Sequence, residues 1–198
     1  MRPRLFRRPS LLYLTVAGAT GVLYVGWARV LGATGYPLDD AWIHQALARN
    51  LAQLGQWAFL PGQPTAASTS PLWTLLLAPG HVLGPDPRLW TLLLGLMLLV
   101  LSAWWAQRLA ARLFPDRGPV PLLIGAAVLL EWHLAWAALS GMETLLFVFL
   151  SLLLLERTLA GARPWVWGTL SGLLTLARPE GVVLFALIGA AVWFGWGG

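Results

Sequence analysis

Two adjacent carboxylates, Asp39 and Asp40, precede a segment whose apolar residues recur at helical spacing. A single carboxylate at such a place is explained by helix capping, because the free N–H groups and the dipole of a first turn favour negative charge. Two carboxylates exceed what a cap needs, so the second is available as a general base or a metal ligand. The pair is the first candidate for catalysis, with capping as the alternative.

Three further motifs place polar side chains between apolar segments. Ser70, which precedes a proline, fits a helix N-cap, and the Ser/Thr cluster around it also suits hydrogen bonds to a sugar or a phosphate. Ser140 and Glu143 have the spacing of a capping box. Arg178 and Glu180 form either a polar turn or a pair facing a cavity, where the arginine would clamp a lipid phosphate.

The remaining ionisable candidates are three histidines and one glutamate. Glu131 and His133 lie within an apolar segment, where ionisable residues are costly and often functional, although the two could also satisfy each other. His44 and His81 are interpreted as interfacial rather than catalytic, and scattered histidines supply too few ligands for a His-based metal site. The chain has no cysteine, which excludes disulfides, thiolate chemistry and Cys-ligated metals.

The elements that must position these residues are those of a membrane protein. Hydrophobic residues make up 58% of the chain and charged residues 11%, and the mean hydropathy is +0.71. A soluble domain would need far more charge to cover its surface. The Leu-rich runs 93–101 and 145–155 show no alternation, which favours helices over a barrel. The predicted fold class is all-α, a polytopic transmembrane helical bundle forming a single domain over 1–198.

Six apolar segments are predicted to span about 30 Å of hydrocarbon as helices. They are 11–31, 89–107, 119–138, 142–156, 165–177 and 181–197. Segment 71–84 is short and interrupted by Pro79, so it is predicted to be re-entrant or interfacial. With this segment outside, nine arginines lie inside and four lie outside or near it, and that bias disappears if it spans. The prediction is therefore about six spans in the cell (plasma or inner) membrane, with a cytoplasmic N-terminus and an uncleaved first anchor.

The first loop, residues 32–88, is predicted to lie on the extracytoplasmic side and to carry the site. Over 40–55 it has the pattern of an amphipathic helix lying on the membrane. The apolar face comprises Ile43, Leu47, Leu51 and Leu54, and the opposite face comprises Gln45, Arg49 and Gln53. All positive residues are arginines, mostly at the ends of apolar segments rather than clustered on a polar face, so no nucleic-acid partner is predicted.

The order of these motifs resembles the GT-C superfamily of polyprenyl-phosphate-sugar-dependent glycosyltransferases. The resemblance is closest to bacterial arabinofuranosyltransferase-like members, with protein O-mannosyltransferases and lipid A aminoarabinose transferases as more distant relatives. It covers essentially the whole chain. The motifs that carry it are Asp39-Asp40 before the amphipathic helix, Thr69-Ser-Pro-Leu-Trp-Thr-Leu-Leu-Leu77, Ser140-Gly-Met-Glu-Thr144 and Ala177-Arg-Pro-Glu-Gly181.

The resemblance implies a sugar donor carried on an isoprenoid phosphate and an acceptor hydroxyl on a glycan, a lipid or a protein. Catalysis in this superfamily is usually inverting, with a loop carboxylate as the general base. By resemblance, Asp39 is the expected base and Asp40 its substitute or a metal partner. A divalent cation (Mg²⁺, Mn²⁺ or Ca²⁺) is a possible cofactor, with Asp40 and Glu143 as its predicted ligands.

The same resemblance implies positive charge near the departing lipid phosphate. Arg49 and Arg178 are the predicted phosphate-binding residues. Ser70, Glu143 and Glu180 complete the predicted substrate-binding set. Superfamily members usually have about twice as many spans, so we expect this chain to be a truncated product, a domain-length piece or half of a split enzyme. It is then expected to lack transferase activity alone and to need a chain that supplies the later spans.

Two other functions are consistent with a small apolar bundle. A transporter subunit would use Glu131 and His133 as a relay, but the acids concentrate outside rather than near the midplane, and the chain shows no pair of related halves. A non-catalytic membrane scaffold or degenerate fragment predicts that Asp39→Asn and Asp40→Asn have no phenotype.

Overall fold

The computed structural model describes residues 9–33, 35–83 and 86–194. About 75% of it is helical and a two-stranded sheet is its other regular element, so the predicted helical class is confirmed. The helices are α1 (Pro9–Val30), α2 (Asp39–Leu54), α3 (Pro71–Leu77), α4 (Gly80–Leu83), α5 (Pro87–Leu113), α6 (Val120–Leu130), α7 (Trp132–Leu139), α8 (Thr144–Leu159), α9 (Pro164–Ala177) and α10 (Gly181–Trp193), and the strands are β1 (Ala58–Leu60) and β2 (Gln63–Pro64). The N-terminal arginines at 2, 4, 7 and 8, the end of the last apolar segment and the junction at 84–85 lie outside the described residues.

Long apolar helices identify the chain as a membrane protein. Two of the described helices, Leu11–Val30 and Pro87–Leu113, are long and apolar enough to cross a bilayer. The pair α6 and α7 makes a third such element if it is one span bent by 51°. The other predicted spans correspond to α8, α9 and α10, which are shorter, with 16, 14 and 13 residues.

Helix α5 lies at the centre of the bundle and packs against α1, α6, α7 and α8. Its inward positions are mostly small residues or leucines, among them Leu99 and Ala103, which are fully buried. Gly95 allows α5 to approach α7 so closely that a Cβ at this position would overlap the carbonyl oxygen of Ala138. Such small-residue contacts bring helices together where apolar burial gives little advantage over lipid.

The third predicted span is broken at Glu131. This residue has an extended backbone (φ −65°, ψ 118°) between α6 and α7. Its carboxylate accepts a hydrogen bond from the Leu134 N–H at 2.8 Å and so caps α7. His133 Nδ1 lies 2.7 Å from the same carboxylate. The two residues therefore satisfy each other, which was one of the two alternatives for them.

The loop between α1 and α5 folds into a small layer at one end of the bundle. Helix α2 packs against α3, α4 and β1, and the Asn50 Nδ2 group donates hydrogen bonds to the carbonyl oxygens of Ala58 and Phe59 at 2.8 and 3.0 Å. Gly55 ends α2 in the left-handed region, at φ 65°. The segment predicted to be re-entrant forms two short helices, α3 and α4, which break at Pro79. Gln45, expected on the water-facing side of α2, is buried.

Candidate active site at one end of the helix bundle

Three separate segments bring charged side chains together beside α2. His44 lies on α2, Glu143 in the turn between α7 and α8, and Arg178 in the turn between α9 and α10. The His44 Nε2 atom lies 3.6 Å from Glu143 Oε2, and Arg178 Nη1 lies 3.4 Å from Glu143 Oε1. Arg178 also pairs with Glu180 at 3.2 Å. The predicted residues Glu143, Arg178 and Glu180 are thus placed in one acid cluster, which we define as these three with His44 and Asp40.

Glu143 is the buried centre of the acid cluster. Its relative exposure is 3%, and its Oε2 atom accepts no hydrogen bond within the described part of the chain. Arg178 compensates one side of this carboxylate. The pKa of Arg178 is raised first by its hydrogen bond to Glu180, and further by the negative charges of Glu143 and Asp40. A buried oxygen with unused acceptor capacity beside a histidine is an arrangement suited to binding a hydroxyl group.

Both members of the acidic pair lie in the first turn of α2 and both are exposed. Neither side chain makes the predicted capping hydrogen bond, because Leu38 occupies the N-cap position, although both carboxylates lie where the helix dipole favours negative charge. Asp40 precedes His44 by four residues and so lies on the same face of α2 as the acid cluster. Its negative charge is a minor cause that raises the pKa of both His44 and Arg178. Asp39 is rotated by about 100° from that face.

His44 is a member of this site that the sequence interpretation missed. It is 2% exposed, not interfacial. Burial lowers the pKa of His44 below its usual 6.5, against the opposing effect of the Glu143 and Asp40 charges. Its Nδ1 atom lies 3.2 Å from Thr74 Oγ1, which in turn lies 3.1 Å from Ser68 Oγ. The four-residue spacing from Asp40 was the available signal, because it puts both side chains on one face of α2.

Helix α3 holds the turn that carries Glu143 in place through a hydrogen bond. The buried Trp73 indole donates a hydrogen bond to the carbonyl oxygen of Gly141 at 3.0 Å. Gly141 has φ +83°, and a Cβ there would meet the Tyr36 ring, so only glycine fits this turn. The predicted capping box is wrong: Ser140 ends α7, its hydroxyl donates to the Ala137 carbonyl oxygen, and Glu143 itself is the N-cap residue of α8 without a side-chain bond.

Ser70 precedes α3 as predicted, but its side chain does not cap that helix. The residue is fully buried, and its Oγ atom makes no hydrogen bond to the residues that the structure describes. Its backbone carbonyl oxygen accepts from the Thr74 N–H at 3.1 Å. A buried hydroxyl without a partner is costly, so Ser70 has hydrogen-bonding capacity to offer a ligand or an ordered water.

Arg49 lies in a different place from Arg178. It lines a cavity of about 750 Å³ whose walls include Tyr36, Trp42, Gln45, His81 and Arg88. Gln45 organises these walls by donating to Thr91 Oγ1 at 2.8 Å and to the Tyr36 hydroxyl, while its Oε1 lies 2.9 Å from His81 Nε2. Burial and the charge of Arg49 lower the pKa of His81. Because Gln45 and Arg49 follow Asp40 and His44 by five residues, they are rotated from them by about 140° around the axis of α2, so the cavity and the acid cluster lie on different faces of the helix.

Among residues 9–33, 35–83 and 86–194, no group of three or more His, Asp or Glu side chains is arranged to hold a metal ion. The Arg178 guanidinium lies beside Glu143, where a cation bound to that carboxylate would meet like charge. The predicted divalent cation therefore stays a prediction. Comparisons with protein-family models, with curated proteins and with solved structures gave no match.

Proposed function

We propose that this chain is a membrane glycosyltransferase, or part of one, that transfers a sugar from a polyprenyl-phosphate donor to an acceptor hydroxyl. The observation that carries the proposal is the acid cluster, in which His44, Glu143 and Arg178 come from three distant segments to one end of an apolar bundle. A reaction between a lipid-linked donor and a water-soluble or lipid acceptor needs its base at such a boundary. The motifs that meet there are also those of the GT-C resemblance.

In the proposed reaction the acceptor O–H gives its proton to the Asp40 carboxylate as its oxygen attacks the anomeric carbon. The bond from that carbon to the phosphate oxygen breaks, and the polyprenyl phosphate leaves with the electron pair. Asp40 is favoured over Asp39 as base because it precedes His44 by four residues and so lies on the face of α2 that the cluster occupies. His44 and Glu143 would hold the acceptor hydroxyl through the unused Glu143 oxygen.

The donor phosphate is proposed to bind in the Arg49 cavity rather than at Arg178. Three carboxylates surround the single positive charge of Arg178, so the acid cluster would repel a phosphate. Arg49 and His81 line the cavity on the other face of α2. Asp86 is the one carboxylate among its lining residues that would repel a bound phosphate.

The proposal includes a topology of about six spans, with α6 and α7 as one bent span and α8, α9 and α10 as short ones. The acid cluster would face the extracytoplasmic side of the cell membrane. The arginines at the opposite end of the bundle support this orientation through the positive-inside rule. They are Arg108, Arg112, Arg117, Arg157 and Arg163.

The test compares Asp40→Asn with Asp39→Asn in membranes of the cell that makes the chain, so that any partner chain is present. Membranes receive labelled polyprenyl-phosphate pentose or hexose, and released polyprenyl phosphate is measured. Loss of the base should slow transfer by a factor of about 100 or more in Asp40→Asn. Asp39→Asn is the matched control, since it removes the same charge one residue away, and it should retain most of the rate. Equal, unchanged rates in both variants would contradict the proposal and favour a scaffold.

A further inference from the structure

At the end of the bundle opposite the acid cluster, three arginines surround one buried carboxylate. Glu156 on α8 is fully buried. Arg112 Nε lies 2.8 Å from its Oε1 atom, and Arg108 Nη2 lies 3.6 Å from the same atom. Arg157 Nε lies 3.2 Å from Oε2. We call these four residues the Glu156 cluster.

The Glu156 cluster carries more positive charge than its carboxylate needs. One arginine at 2.8 Å is enough to neutralise a buried carboxylate. The large energetic cost arises only when a buried charge has no partner at all. No other Asp or Glu in the described part of the chain forms an ion pair with Arg108, Arg112 or Arg157. Three positive charges around one negative charge therefore leave two uncompensated, and like charges held this close are unfavourable without an anion.

The side chains of these three arginines are partly exposed, so their guanidinium groups can contact a ligand. Their side chains keep 36 to 41% of their exposure, so the guanidinium edges reach the surface while Glu156 fixes their inner sides. A planar guanidinium with unused N–H groups matches the oxygens of a phosphate in pairs.

The surroundings of the cluster are those of a lipid headgroup layer. The Arg108 guanidinium carbon lies 5.9 Å from the Trp104 ring and 5.7 Å from the Trp105 ring. Trp165, at the start of the next helix, is 67% exposed. Tryptophan collects at the level where hydrocarbon meets headgroups, and arginine side chains there reach toward phosphate.

We propose that the Glu156 cluster binds the phosphate of an anionic phospholipid headgroup from the leaflet at that end of the bundle. Glu156 orients the arginines, and the two uncompensated charges select an anionic lipid over a zwitterionic one. The ligand chemistry is a phosphate ester, which a free phosphate ion shares in part. The site is about 20 Å along α8 from Glu143, at about 1.5 Å per residue, so it does not depend on the proposed transferase reaction.

The test is lipid binding by the purified full chain in a neutral detergent, measured by native mass spectrometry. The titrants are phosphatidylglycerol and phosphatidylcholine. The wild-type chain should retain phosphatidylglycerol preferentially, and the preference should weaken as ionic strength rises. Equal retention of both lipids by the wild-type chain would overturn the proposal without any variant.

Arg157→Gln, and then Arg112→Gln with Arg157→Gln, should weaken phosphatidylglycerol binding by about fivefold and about 30-fold, respectively. Arg29→Gln is the matched control, because Arg29 is exposed in the last turn of α1 and lies outside the cluster. A loss in Arg29→Gln equal to that of the double variant would overturn the proposal. Inorganic phosphate is the second arm: displacement of the lipid by millimolar phosphate would show a free-anion site and overturn the lipid assignment.

Discussion

Trp73 connects the layer formed by the loop between α1 and α5 to the turn that carries Glu143, so it should stabilise the candidate site. Its indole N–H donates to the Gly141 carbonyl oxygen at 3.0 Å, two residues before Glu143. The side chain is 1% exposed and belongs to the bundle core. Trp73→Phe keeps an aromatic ring but removes this donor and part of the indole volume.

The expected cost of Trp73→Phe has two parts. A buried carbonyl oxygen left without its donor costs about 1–3 kcal/mol. The smaller ring leaves unfilled space, and by comparison with full truncation of a buried Trp this adds about 1–2 kcal/mol. The sum is about 2–5 kcal/mol, and at about 2–4 °C per kcal/mol for a chain of this size the melting temperature should fall by about 4–20 °C.

Trp90→Phe is the matched control for this substitution. The Trp90 indole donates to the Leu76 carbonyl oxygen at 2.8 Å, so the same kind of bond is lost, but the residue is only half-buried and water can replace the donor. Its melting temperature should fall by about 2–4 °C. Thermal melts of both variants in one detergent, followed by near-ultraviolet circular dichroism, give the comparison. If Trp90→Phe is as destabilising as Trp73→Phe, the assignment of Trp73 as the lock of this turn is wrong.

Two further predictions follow from close packing and from burial. Gly95→Ala should destabilise the chain by about 1–3 kcal/mol, because the new Cβ would meet the Ala138 carbonyl oxygen. Gly26→Ala is the control: its Cβ would meet nothing within 4 Å, so it should be neutral or stabilising. The melting temperatures of the two variants, measured in the same detergent, test this difference. His44 has a pKa lowered below 6.5 by burial, so as pH falls through that value the unfolded chain takes up a proton that the folded chain does not. Stability should therefore fall between about pH 7 and 5, and His44→Gln should show a flatter profile. The pKa of His81 is also lowered, but His81 is present in both chains, so an equally steep profile in His44→Gln would contradict the burial argument.

Much of the layout of this site follows from topology alone. Asp40, Glu143 and Arg178 were each placed at one end of the bundle because alternate connections between antiparallel helices meet at the same end. The positions of the apolar segments and the arginine bias are sufficient for this placement, and both can be read directly from the sequence. Which of two adjacent carboxylates faces the cluster depends on the first turn of α2, and Leu38 rather than an aspartate occupies the N-cap.

The residues that sequence reasoning placed wrongly are those whose environment is set by tertiary packing. His44 and Gln45 are polar, yet both are buried because α3 and α5 supply hydroxyl partners, Thr74 and Thr91, from distant segments. The hydrophobic pattern predicted Gln45 on the water-facing side and His44 at the interface, because it has no information about those partners. Ser140 failed as a cap for a related reason: α7 continues up to it, so its hydroxyl bonds back to Ala137 instead of forward into α8.

Helix α8 joins the two charged ends of the bundle and fixes their relation. Glu143 precedes it and Glu156 lies near its end, and both carboxylates are buried and paired with arginine. At the Glu143 end acids outnumber the arginine, whereas at the Glu156 end arginines outnumber the acid. One continuous helix separates the two clusters by about 20 Å, so in the proposed topology, where α8 is a span, the side of the membrane that holds one cluster determines the side that holds the other. The orientation proposed for the acid cluster and the lipid site proposed at Glu156 therefore constrain each other, even though each has its own test.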